Sequence, residues 1–147
     1  MSPAVVFDQG LGEILVIRTA DHILDRAVLA SFEFALDQLG VSLILLLAHL
    51  GCGTVRAAVQ SHAHPAGIRE VPGNLRHLVE TIWPAIEVIQ DQPGDMVENT
   101  LREHAWCIAR QLDRGEPFLA SFVSRQKTMV AVGYYDLCSG RFELLTK

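Results

Sequence analysis

Apolar residues follow two periods along this chain, and their alternation sets the order of predicted elements. "EILVIR", residues 13–18, is a short β-branched run behind Gly10 and Gly12, and "SLILLLA", residues 42–48, is apolar throughout after Ser42. Both read as strands buried on two faces, as in a parallel sheet. Between them, Ala27, Val28, Phe32, Ala35, Leu36 and Leu39 recur at helical spacing, with Asp25 near the start and Gly40 as a terminator. The three segments predict a βαβ unit. Next comes a second helix, "GTVRAAVQSHA", and then a loop, "HPAGIREVPG", broken by Pro65, Gly67, Pro72 and Gly73.

The helix predicted from Asn74 to about Ile89 carries Leu75, Leu78, Val79, Ile82, Ile86 and Ile89 on one side, with Pro84 placed to kink or split it. From Met96 to Asp113 a longer helix turns Leu101, Ala105, Ile108 and Leu112 inward, and Gly115 separates it from a short helix in "PFLASFVSRQ". The closing "TMVAVGYYDLCSGRFELL" reads as two strands around a Cys-Ser-Gly turn. This order predicts an α/β fold: a mostly parallel central sheet flanked by helices and finished by an antiparallel hairpin. Sites in such sheets lie at the carboxyl ends of strands, which here means "TADH" (19–22) and "HLGCG" (49–53).

Composition narrows the functions. The 147 residues are half hydrophobic, enough for one domain over 1–147 with a substantial core, and the net charge of −5 disfavours nucleic acid and anionic lipid as partners. No apolar run reaches the roughly 18 residues that cross a bilayer, and "MSPAVVFDQG" lacks signal-peptide character, so a cytoplasmic protein without a membrane partner is expected. Cys52, Cys107 and Cys138 are odd in number and widely spaced, unlike a disulfide framework.

His49 and Cys52 supply two of the three protein ligands a catalytic zinc needs, and Gly51 and Gly53 ease the turn that lets both face one point. Cys52 also falls at a helix N-terminus, where the dipole favours a thiolate. A packing role for both is the plainer alternative. "HLGCGTVRAAV" resembles the "GHSxCGAVxAA" segment of β-class carbonic anhydrases, in which the His and the Cys are zinc ligands. "SPAVVFDQGLGEILVIRTADHILDRAVLASFEFALDQLGV" is similar to the family's "FDQGxGDxFVxRxAGH" region, and "VGYYDLCSGRFELL" to its closing "GxxYDxxTGxVxxL".

The resemblance implies a β-carbonic-anhydrase-like fold, a Zn2+ cofactor held in part by His49 and Cys52, carbon dioxide or bicarbonate as the small partner, and a homodimer or higher oligomer. It also implies a gap. The family's Cys-x-Asp-x-Arg motif, which brings the first zinc cysteine and an Asp/Arg pair, precedes the matched region, and neither Cys107 nor Cys138 replaces that ligand. The first central strand goes with it, so the strands at 13–18 and 42–48 are expected to close up and pair, to receive a strand from another chain, or to be completed by residues of the natural protein outside this sequence.

Asp21 and His22 stand where the family has Ala-Gly-Asn or Ala-Gly-His endings. They offer a replacement ligand set or an acid/base pair, whereas Asp21 as the cap of a helix beginning near Ile23 is the ordinary role. Arg18 suits an anion or an ion pair, Gln9 a small oxyanion, and His62 and His64 a polar helix end. Three functions remain open: a hydratase completed by a third ligand, a non-catalytic dimerisation or anion-binding module, and a catalyst using Cys52 as thiolate with His49 as base.

Overall fold

The computed structural model describes residues 2–64, 67–114, 117–125 and 128–146. In chain order the elements are α1 (Pro3–Val6), α2 (Arg26–Asp37), β1 (Leu43–His49), α3 (Gly53–His62), α4 (Gly67–Glu70), α5 (Leu75–Ile89), α6 (Met96–Arg114), α7 (Pro117–Ser124), β2 (Met129–Asp136) and β3 (Arg141–Leu145). The sheet order is β1-β2-β3. β1 runs parallel to β2 in the register Leu43↔Met129 through His49↔Tyr135, and β3 folds back antiparallel. The α/β class stands, with one parallel and one antiparallel pairing.

β1 is buried on one face rather than two. Ile44, Leu46 and Ala48 join the core with Val55 and Ala58 of α3, Ile82 and Ile86 of α5 and Leu101 and Ile108 of α6, whereas Leu43, Leu45 and Leu47 face a cavity. The 42–48 run is therefore uniformly apolar for two different reasons. The inward stripe of α6 is as the periodicity predicts, with Thr100 and His104 on it as well. Ile82 and Ile89, at 0 and 1 % exposure, anchor α5; truncation of such side chains costs about 2–5 kcal/mol.

The strand expected over 13–18 does not form. Residues 14–19 have no regular structure, and Ile14, Leu15 and Val16 are 36–44 % exposed. β-branched residues favour extended backbone, but a strand is held by a ladder partner, and among the described residues no strand lies on the free side of β1. The predicted βαβ unit and the direct pairing of the two segments are both absent.

α2 begins at Arg26, where the Asp25 carboxylate accepts a hydrogen bond from the Val28 N–H at 2.8 Å. Asp25, not Asp21, is thus the cap. On α2, Val28, Ala35 and Leu36 are buried, while Leu39 is 54 % exposed beyond the helix end; Gly40, at φ 64°, lets the chain turn so that the Val41 N–H meets the Ala35 carbonyl.

α5 runs unbroken through Pro84, and the expected loop at 64–73 contains the short α4. Pro65 and Gly115 lie outside the described residues. The hairpin forms as predicted: Asp136 accepts from the Cys138 N–H at 2.8 Å and the Ser139 hydroxyl at 2.6 Å, tightening the turn. None of the three cysteines forms a disulfide.

Candidate metal centre at the end of the first strand

β1 ends at His49, and the chain turns through Leu50 and Gly51, whose φ of 78° is a left-handed conformation open to glycine, into Cys52 at the N-cap of α3. The Cys52 side chain caps nothing, so its sulfur is not committed to the helix. His49 Nδ1 lies 3.1 Å from the Leu50 carbonyl. A carbonyl only accepts, so Nδ1 carries the proton and Nε2 keeps its lone pair. That is the tautomer a metal-ligating histidine adopts.

The 19–22 loop is tied to the same place. The Thr54 hydroxyl, in the first turn of α3, donates to the Ala20 carbonyl at 3.0 Å. Asp21 then points inward and meets His104 of α6, with Oδ2 and Nε2 3.1 Å apart and both side chains almost fully buried. Burial alone would raise the Asp21 pKa, but His104, the His22 backbone N–H and the His22 ring together hold it below the ordinary aspartate value.

His22 lies beside the Leu47 carbonyl of β1 and close enough to His49 for their charges to interact. Burial pushes its pKa down, toward the neutral ring. Its ring centroid is 6.5 Å from that of His104.

A cavity of about 890 Å³ joins these groups, lined among others by Gln9, Arg18, Asp21, His22, His49 and Cys52. Sequence reasoning thus named six residues that share one space. They are not equal within it. Arg18 is exposed and makes no ion pair with a described residue. Gln9 is also exposed, and its amide donates to the Phe7 and Asp8 carbonyls, so it is partly committed to its own loop.

His104 was not among the sequence candidates. Its only signal is position: a histidine on the inward stripe between Leu101 and Ile108 needs a polar partner inside. His62, by contrast, packs edge-on against Trp83 at 5.6 Å, and neither His62 nor His64 belongs to a group of three metal donors among the described residues.

The model of the family described as "Carbonic anhydrase" matches residues 1–142. The chain belongs to the carbonic anhydrase family. It is 36% identical over 141 residues to a carbonic anhydrase of Mycolicibacterium smegmatis, a match that takes in 95% of this chain and 66% of that protein, so the chain spans just under two thirds of that relative's length. The β-carbonic anhydrase CcaA superposes with a TM-score of 0.84 at 16% identity, over 99% of this chain and 74% of that one. A tetrameric β-carbonic anhydrase from Sordaria macrospora gives 0.78 at 19% identity, over 99% and 75%. The fold is that of the β class.

Carbonic anhydrases of this family bind zinc, and the donors here fit it only in part. His49 offers a free Nε2 and Cys52 an uncommitted sulfur. Among the described residues, however, neither belongs to a group of three His, Cys, Asp or Glu donors within coordination reach. Cys107, inside α6 near Glu103 and Arg110, and Cys138, in the hairpin turn, do not line the cavity. The one such group that forms among the described residues is Asp21, His22 and His104.

Proposed function

We propose that this protein is a β-carbonic-anhydrase-like chain in which His49 and Cys52 are a partial zinc site. Standard hydration of carbon dioxide is weak or lost in it unless a third ligand comes from another chain or from sequence beyond these residues. The observation that supports this reading is the pairing of a ligand-ready His49 with an uncommitted Cys52 and no third donor in reach among the described residues. Bound zinc supplies a water of near-neutral pKa; the chain itself supplies a half-open, largely apolar cavity for a small neutral gas. Arg18, without an ion-pair partner on the cavity wall, holds a small anion such as bicarbonate, with Gln9 beside it. Assembly as a homodimer or higher oligomer fits the apolar surface left open by Leu43, Met129 and Leu144, which are 48–63 % exposed.

The test is stopped-flow hydration of carbon dioxide with an indicator dye, on the wild type, His49→Ala and Cys52→Ala. The expected result is a rate near the uncatalysed background in all three. A wild-type rate far above background that collapses in Cys52→Ala would show a complete zinc site and overturn the proposal.

A further inference from the structure

Three side chains outside the His49–Cys52 pair converge on one point. One donor atom each from Asp21, His22 and His104 lies within 4.8 Å of the other two. The Asp21 and His104 side chains are 2 % and 3 % exposed, and their Oδ2–Nε2 approach of 3.1 Å falls outside hydrogen-bonding geometry. Asp21 Oδ2 and both ring nitrogens of His104 therefore have no hydrogen-bond partner. A buried polar atom left in that state costs about 1–3 kcal/mol. Asp21 Oδ2 and His104 Nε2 face each other as an ion pair and His104 Nδ1 faces no partner, and a cation shared with His22 would satisfy this donor set together.

The surroundings favour the same reading. The Leu47 carbonyl beside His22 is the kind of outer partner that orients a ligating imidazole. Two imidazoles and one carboxylate suit zinc and neighbouring first-row cations, whereas calcium and magnesium call for oxygen donors throughout. Two ligands of a tetrahedral zinc stand about 3.3 Å apart, given metal–ligand bonds of ~2.0–2.1 Å. The Asp21–His104 separation is already close to that. All three residues are among those that line the cavity, which places the site at its wall.

We propose that Asp21, His22 and His104 form a divalent-metal site of the zinc class, adjacent to His49 and Cys52 and independent of them. It stands whether or not the His49–Cys52 pair binds metal. The site draws one ligand from α6 and two from the irregular segment before α2, so the ion ties that segment to the helical core.

The experiment titrates the purified full chain with Zn2+ in competition with a chromophoric chelator, and with Co2+ by absorption. The wild type should take up metal at this site, giving visible Co2+ bands of tetrahedral type. His49→Ala and Cys52→Ala should retain those bands at full intensity, and any thiolate-to-cobalt charge transfer at the His49–Cys52 pair would disappear separately in Cys52→Ala. Asp21→Asn and His104→Gln should weaken binding by more than the roughly 10–100-fold that loss of an outer partner costs. Should either deeply buried variant fail to fold by circular dichroism, His22→Asn, at a half-buried position, gives the same readout. Absence of metal from the wild type, retention at full affinity in folded His22→Asn, or loss in Cys52→Ala would each overturn the proposal. The hydration assay above is blind to these outcomes, so the two readings fail separately.

Discussion

Gly133, buried in the middle of β2, sits under the Phe142 ring of β3. A Cβ added there would meet ring carbons at 2.4 and 2.7 Å and the Leu45 Cδ1 at 3.3 Å. Carbon–carbon contacts are comfortable at about 3.5–4.0 Å, so Gly133→Ala requires the ring to move by roughly an ångström. The ring is not free to do so without loss, because it packs edge-on against Phe7 with centroids 5.3 Å apart. Overpacking of this kind costs about 1–3 kcal/mol. Against it stands a gain of about 0.5–1 kcal/mol from replacing glycine inside a strand.

The net expectation is that Gly133→Ala destabilises by up to about 2.5 kcal/mol. With Phe142→Ala already present the clash is gone, Leu45 needs to yield only a few tenths of an ångström, and the sign reverses to a gain of up to about 1 kcal/mol. The four proteins of this cycle can be compared by urea unfolding at constant m-value. Equal costs of Gly133→Ala in the two backgrounds, within about 0.5 kcal/mol, would refute the steric account.

Two further outcomes follow from the helices and the hairpin. Pro84 is exposed within α5 and brings no N–H to the helix ladder, so Pro84→Ala should stabilise by about 2 kcal/mol: the roughly 3 kcal/mol helix penalty less the looser unfolded chain. A lowered unfolding midpoint would contradict this. Glu143 of β3 accepts from Arg102 of α6 at 2.9 Å, and this hydrogen bond first of all holds its carboxyl below the ordinary glutamate value. Because the folded pKa is depressed, the pair's stabilisation is complete above the unfolded glutamate pKa and is lost as pH falls through the folded one. Glu143 is 56 % exposed, so solvent screening keeps the effect under about 1 kcal/mol. Glu143→Gln should flatten the acid side of the stability–pH curve, and added salt should do the same to the wild type; an unchanged acid slope in the variant would refute the pair.

The elements were legible where one local pattern decided them. The period of α6 and the turn chemistry of the closing hairpin needed no knowledge of distant residues. Residues 13–18 misled because β-branched composition reports a preference for extended backbone, not the presence of a neighbour to pair with. Asp21 misled in another way: "TADHILDR" holds two aspartates able to cap a helix, and the one at position 25 does so while the other turns inward. His49 and Cys52 stood out through the resemblance of their segment to a family motif more than through spacing, and both line the cavity. His104 could not be read this way, since it lies 83 positions after Asp21 in the chain and only the packing of α6 brings them together.

The sheet is closed by strands synthesised long after β1. Thr128 donates its hydroxyl to the Val41 carbonyl across 87 residues of sequence, and the whole β1–β2 ladder spans a similar separation. At synthesis rates of about 5–20 residues per second, β1 waits several seconds with both ladder edges bare. During that interval the helix pair α5–α6 is the part of the core that local contacts can assemble. A ribosome stalled before Met129 would therefore display a helical nascent chain with the 43–48 apolar block unprotected, and that block is where a chaperone would bind.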